Sequence, residues 1–238
     1  MQILLDTHTH TNASSHAYST ILENAKFASE KGLKLLCVTD HAPAIADSAD
    51  IMYYWNLHIL DRELFGIEMM YGVELSILDY NGTLDLDEDL LKKMDICIAS
   101  FHNVVLTPGT KKENTMAMLK AMQNPYVAIL GHPDDGKILV EYEELVLEAK
   151  RSNVLLEVNN SSITTAFYRL NTRENLVKML GLCEKYGVKV SLGSDAHFAT
   201  SVGRLDDAIS LLEEIKFPHE LVINTSVEAF KKHLGDKK

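Results

Sequence analysis

His8 and His10 stand one threonine apart in the stretch "DTHTHTNASSHAYST", and His16 follows within the same stretch. A spacing of two puts His8 and His10 on one side of an extended chain, where both imidazoles can reach a single ion. Asp195 and His197 repeat that spacing in "SDAH", although there the chain is leaving a strand and the two could serve neighbouring ions. His41 in "VTDHAP", Glu74 in "GVELS", His102 in "IASFH" and His132 in "GHPD" complete a set of nitrogen and carboxylate donors without a thiolate. Such donors suit zinc, manganese or iron, and sites of this composition are commonly catalytic rather than structural. His8, His10, His16, His41, Glu74, His102, His132, Asp195 and His197 exceed what one tetrahedral ion needs. Two or three ions are therefore expected, with an acid such as Glu74 available as a bridge.

A lone histidine is more often a surface or hydrogen-bonded core residue than a ligand. By that standard His58, His219 and His233, in helical or tail segments, receive no role. Asp40, beside His41, is either a ligand or a partner of one. Asp6, just ahead of "HTH", is expected to orient an imidazole. Glu157, inside "LLEVNN", is expected to act on folding alone.

The elements that must position these groups are visible in the apolar pattern. Seven short runs, "QILLD", "KLLCVTD", "EMMYGVEL", "MDICIASFH", "YVAILGH", "VLLEVNN" and "VKVSLGSD", have the length and composition of buried strands. Segments of helical period separate most of them, among them "EYEELVLEAKRSN" and "TRENLVKMLGLCEKYG", the latter stopping at Gly187. Strand, helix and strand in alternation imply parallel βαβ units in one α/β domain spanning 1–238. One excursion is expected at "LSILDYNGTLDL", where Asn81-Gly82 suits a tight hairpin. The acidic run "DLDEDLLKK" suits the first turn of a helix. In parallel α/β barrels the carboxyl ends of strands converge on one face. Here they carry His8 and His10, His41, Glu74, His102, His132, Asn159–Asn160, and Asp195 with His197.

The bulk properties exclude several classes. At 238 residues and 46% hydrophobic, the chain can bury one large core. A formal charge of −11 argues against a broad nucleic-acid-binding face. The start "MQILLDTHTH" has no basic region and no long apolar one, so no signal peptide is expected, and no run approaches a membrane span. Cys37, Cys97 and Cys183 are odd in number and far apart, and two lie in strand-like runs, which fits a reduced, cytoplasmic protein. Oligomeric state is left open, a homo-oligomer included.

The motifs "DTHTHTNASSHAYST", "VTDHAP", "GVELSILDYNGTLDL", "DICIASFH", "GHPD", "EVNNSS" and "SLGSDAH" together resemble those of the PHP (polymerase and histidinol phosphatase) family, most of all its stand-alone YcdX-like phosphatase branch. The resemblance runs from residue 2 to about residue 225. It implies a distorted TIM-like (β/α)7 barrel whose strand ends hold three divalent ions, usually zinc with manganese or iron possible, and hydrolysis of phosphate esters by metal-activated water. It would place His8, His10, Glu74 and Asp195 on one ion and let Glu74 bridge to a second held with His102 and His132. His16, His41 and His197 would hold a third. Glu74, Asp195 and His197 then carry the catalytic roles, with the leaving-group proton coming from metal-bound water or from His197.

A small phosphorylated substrate follows, contacted by an arginine whose fork matches two phosphate oxygens. Arg169 is the first candidate and Arg173 the second, in "NNSSITTAFYRLNTREN" after the sixth strand. Histidinol-phosphate phosphatase and nucleotide phosphodiesterase are the alternatives within phosphoester chemistry. An amidohydrolase or deaminase commonly bridges its metals with a lysine on the fourth strand, and "DICIASFHN" has none. A non-catalytic metal-stabilised module is disfavoured because all nine donors are present.

Overall fold

All seven apolar runs form strands in the computed structural model, which describes residues 1–164 and 168–236. They are β1 (Leu5–Asp6), β2 (Leu35–Val38), the third run, β6 (Cys97–Ser100), β7 (Val127–Gly131), β8 (Leu155–Asn159) and β9 (Val190–Gly193). The third run is divided by Gly72 into β4 (Ile67–Tyr71) and β5 (Val73–Ser76). Two sheets result, in the orders β1-β2-β4-β3 and β5-β6-β7-β8-β9, and every pairing is parallel except that of β4 with the short β3 (Glu63–Leu64).

Gly72 is where the chain passes from one sheet to the other. Its N–H bonds to Val38 O on one side, and Val73 N bonds to Ile96 O on the other. A Cβ at Gly72 would stand 2.0 Å from Ile96 O, so only glycine admits so close a crossing. The parallel α/β fold expected from the sequence is thus present, but its ladders do not close into one barrel. Beyond the Gly72 crossing, the two sheets are linked among the described residues by single parallel bridges, His41 to Glu74 and Thr9 to Ala196.

The connections are helical: α1 (Ile21–Glu30), α2 (Ile51–Asn56), α3 (Glu88–Leu91), α4 (Lys111–Met122), α5 (Tyr142–Arg151), α6 (Asn160–Thr164), α7 (Thr172–Tyr186), α8 (Asp206–Glu214) and α9 (Val227–Gly235). Thr20 with Glu23 and Thr110 with Glu113 form capping boxes that start α1 and α4. Asp87 caps α3, as the acidic run suggested, and Gly187 ends α7 in the left-handed region. The pattern missed one hairpin. β3 and β4 are joined by Phe65 and Gly66, both at positive φ, and a phenylalanine there carries no turn signal. The hairpin expected at Asn81-Gly82 shrinks to the single antiparallel bridge Ile77–Leu84, with Asp79 accepting from Asn81 and Thr83.

The strands' alternation separates two apolar clusters. Leu36, Val38, Cys97 and Leu156 pack with the helices, whereas Leu5, Leu35, Ile96, Ile98 and Leu155 pack with Phe230 and Leu234 of α9. These last strand residues lie mostly at the amino ends, so α9 seals that end with apolar side chains and polar groups collect at the other. Cys37, Cys97 and Cys183 are buried and free. No described helix is long and apolar enough to cross a membrane.

Candidate metal centre

The first and last parallel strands are drawn together beyond their ends, by Asp195 N to His8 O and His10 N to Ala196 O, both 2.9 Å. These bonds carry "HTH" and "DAH" to one place. Glu74 N to Asp40 O and Ala42 N to Glu74 O, both 3.0 Å, set His41 beside β5 in the same way. His102 and His132 follow the adjacent strands β6 and β7. Two of these residues hold left-handed backbone, His132 at φ 28° and Asp195 at φ 53°. For residues other than glycine this costs on the order of 1–3 kcal/mol, and such strain collects at functional sites.

Glu74 is fully buried at the middle. Its Oε2 lies 2.7 Å from His41 Nδ1, 3.4 Å from His8 Nε2 and 3.5 Å from His10 Nε2. Its Oε1 lies 2.9 Å from His132 Nε2 and 3.1 Å from His102 Nε2. Asp195 Oδ1 faces His10 Nε2 at 3.3 Å, His197 Nδ1 at 3.5 Å and His8 Nε2 at 3.8 Å. The His16 ring joins 4.4 Å from that of His197 and 5.1 Å from that of His41. All nine donors expected from the sequence therefore stand in one cluster.

A second layer settles which ring nitrogens face inward. Ser14 Oγ donates its proton to Asp40 Oδ1 (2.7 Å), so it must accept from His10 Nδ1 (3.1 Å), leaving His10 Nε2 a lone pair for the centre. Glu157 Oε1, 2.7 Å from His8 Nδ1, fixes the same tautomer there. Asp40 is a scaffold rather than a ligand, its oxygens taken by Thr11, Ser14 and Tyr53. Ser76 Oγ lies 3.0 Å from His102 Nδ1.

Two expectations are corrected. Asp6 hydrogen-bonds no imidazole among the described residues; it accepts from the backbone N–H groups of His8, Ser194 and Gly203, because its strand position points it at the neighbouring loops. Glu157 is not a mere folding residue, since it also accepts from His132 N (2.8 Å) and Asn159 Nδ2 (3.1 Å) and so joins two donor strands. An acid amid the apolar run "LLEVNN" was the signal that could have found it. A Cβ at Gly193 would meet Glu157 Oε1 at 2.2 Å, so this contact also requires a glycine on β9.

Glu157→Gln keeps the shape but weakens the hold on the His8 proton. Its expected effect is a roughly 10- to 100-fold loss of metal affinity, measured in metal-buffered titrations. Wild-type affinity in that variant would return Glu157 to a purely structural role.

Protonation states follow from the surroundings. Burial lowers the His10 pKa well below its ordinary value, and the neighbouring His41 and His197 lower it further. Burial, His197 and His41 push His16 down to about 4. Burial alone would raise Glu74 and Asp195, but the imidazoles facing each hold both carboxyls well below their ordinary range. Burial opposes the charge of His8, yet Glu157, Glu74 and Asp195 together move its pKa up, so His8 Nε2 would release a proton on serving as a ligand.

Glu74 Oε2, His41 Nδ1 and His197 Nε2 are buried without a hydrogen bond among the described residues, even though the first two lie close together. Buried polar atoms in proteins are nearly always partnered. Converging lone pairs that do not bond one another are the arrangement cations satisfy, and the donor set fits divalent ions. Three overlapping triads, His10–His41–His197, His8–His10–Glu74 and His41–Glu74–His102, each offer ligand atoms within 4.8 Å of one another.

The two arginines part company. Arg169 enters the site, bonding Ser162 Oγ at 2.5 Å, Asn159 Oδ1 at 3.2 Å and Asp195 Oδ2 at 3.3 Å. Arg173 does not join it; it lies half exposed on α7, paired with Glu214 of α8. Three residues separate the two, and the chain turns between them at Asn171, which holds φ 52° ahead of the start of α7. Asn159 links Glu157 to Asp195, whereas Asn160 accepts from Asp207 and Ala208 and anchors the start of α8. His58 is exposed and bonds Trp55 O at the end of α2, just ahead of its own short turn.

Comparison with known proteins adds an independent line. Residues 6–161 match the PHP domain. The whole chain is 45% identical to a probable phosphatase of Clostridium novyi (strain NT), covering 96% of it. It is 44% identical to a probable phosphatase of Caldanaerobacter subterraneus subsp. tengcongensis, covering 93%. In structure it resembles the histidinol phosphate phosphatase of Lactococcus lactis subsp. lactis Il1403, solved with zinc, L-histidinol and phosphate. The TM-score there is 0.62 at 19% identity, over 90% of this chain and 94% of that one, a likeness of fold.

Proposed function

The chain belongs to the PHP domain family, and from that premise we propose that it is a metal-dependent phosphatase acting on a small phosphate monoester. The observation that carries this reading is the Glu74 carboxylate, fully buried with five imidazole nitrogens within 3.5 Å of its oxygens. We assign His8, His10, Glu74 and Asp195 to one ion, Glu74, His102 and His132 to a second, and His16, His41 and His197 to a third. The strands are proposed to follow the course of a distorted (β/α)7 barrel within one domain, 1–238, which the two linking bridges support. The ions, most simply Zn2+ with Mn2+ or Fe2+ accepted by the same donors, activate water and offset the charge of the phosphate when bound.

The chain's own groups do the rest. Glu157 and Ser14 hold the His8 and His10 protons on the outward nitrogens, so both rings stay aimed. Asn159 and Ser162 hold the Arg169 fork over the cluster, where it binds phosphate oxygens and excludes water from one side. Asp195 and His197 complete the wall from which a leaving group departs. The free, buried cysteines support a reducing, cytoplasmic location.

The test is phosphate release from phenyl phosphate and a panel of metabolite phosphates by the metal-loaded protein. Failure to release phosphate from any of them would remove the reading. Within that assay, Arg169→Ala should lose roughly ten- to a hundredfold in kcat/KM, since a charge-assisted contact is worth about 1.5–3 kcal/mol. Metal content should stay unchanged. Lysine at 169 should recover part of the loss, because a point charge cannot make the planar two-oxygen contact. A kinetically silent Arg169→Ala would leave phosphate binding to the ions alone.

A further inference from the structure

A cavity of about 690 Å3 opens from the cluster past His197 and Asp195 toward Arg204. Phosphate alone needs far less room, and pockets of about 300–1,000 Å3 are those that enclose a whole small molecule. Three aromatic side chains line it although they are largely exposed, Tyr18 at 76%, Tyr168 at 66% and Phe198 at 52%. Isolated exposed aromatics need no explanation, but these share one cavity, and Tyr18 and Phe198 follow the donors His16 and His197 closely in sequence. Their loops are pinned together by Tyr18 N to His197 O and Ala199 N to Ser19 Oγ, both 2.9 Å. Loops joined in this way keep Tyr18 and Phe198 at the cavity, where their flat faces can meet a planar group.

The charge of the cavity is unlike that of the chain. The protein carries −11 overall, yet the cavity presents Arg169 and Arg204, and its one carboxylate among the described lining residues is the donor Asp195. Arg204 has no ion-pair partner among the described residues. An exposed arginine on so acidic a surface would ordinarily find a carboxylate. Its backbone is held by Arg204 N to Ser201 O at 3.0 Å, next to Gly203, whose N–H Asp6 receives at 2.8 Å. An alcohol with an ammonium group would meet an arginine here and no free carboxylate.

Building on the phosphatase reading, we infer that this cavity is a leaving-group subsite selecting phosphomonoesters whose alcohol carries a flat ring and a second anionic group, with Arg204 as the specificity residue. Esters of amino alcohols, histidinol phosphate among them, are disfavoured by the same charge.

The test uses the metal-loaded protein with phenyl phosphate and its para-carboxymethyl and para-aminomethyl derivatives. In the wild type kcat/KM should fall in the order carboxymethyl, unsubstituted, aminomethyl, by about tenfold per step and mainly through KM. Arg204→Ala should collapse the order toward equal values, Arg204→Glu should invert it, and Arg204→Lys should retain part of it. Calorimetry with benzylphosphonates bearing the same groups reads the preference without turnover. If the esters are hydrolysed but show no charge preference, or if the preference survives in Arg204→Ala, the subsite assignment is overturned and the phosphatase reading stands. If the phosphonates bind in the expected order while no ester is hydrolysed, the subsite stands and the phosphatase reading falls.

Discussion

Glu74→Gln should reduce kcat/KM by about two to four orders of magnitude while the protein stays folded. The substitution is isosteric, yet it removes one negative charge and turns an acceptor oxygen into an N–H2 donor facing imidazole nitrogens. Glu74 has no exposed surface and its two oxygens lie between five rings, so nothing can compensate from solvent. Breaking a buried charge interaction on one side costs about 3–5 kcal/mol. If that cost falls on the transition state, where the proposed bridge is needed, it corresponds to roughly a hundred- to several-thousandfold in rate. Metal content measured on the same preparation should drop as well. Turnover near the wild-type value would show that Glu74 is not the bridge and would shift that role to Asp195, whose Oδ1 faces His8, His10 and His197.

Removal of the metal should have the other large effect. Purified protein is expected to carry two to three transition-metal ions per chain, and dialysis against a strong chelator should take hydrolysis to background. Zinc or manganese added back should restore it. Stability should change too, because ions that bind only the folded chain stabilise it by about 2.7 kcal/mol at a hundredfold excess over Kd. For a domain of this size that is roughly 5–10 °C in Tm. The physical origin is the cluster itself: Glu74 Oε2, His41 Nδ1 and His197 Nε2 are buried without a hydrogen bond among the described residues, and bound cations would satisfy their lone pairs. Full activity in chelator, with one ion or none bound, would dismiss the polynuclear centre.

Sequence alone determined the residue types and the strand ends that carry them. Short continuous apolar runs and the polar residue that terminates each are local properties, set by what a strand buried on both faces can hold, so all seven runs appear as strands. The side chains that gather in the cluster were legible for the same reason, except His16, which comes from the loop beyond the first strand. What needed the tertiary structure was everything that depends on a neighbour distant in the chain. Whether parallel ladders close is decided by crossings such as Gly72, where steric fit against Ile96 moves the strand from one sheet to another. Glu157 looked like a core acid because its partner His8 lies 149 positions away. Arg169 and Arg173 were ranked but not separated by the sequence; in the fold Arg173 pairs on the surface with Glu214 of α8, whereas Arg169 reaches Asp195 in the site. The tautomers of His8 and His10 were likewise set by the hydrogen-bond partners that folding brings to their outer nitrogens. Period and composition report what a segment can bury, whereas register, packing and hydrogen-bond partners decide what it touches.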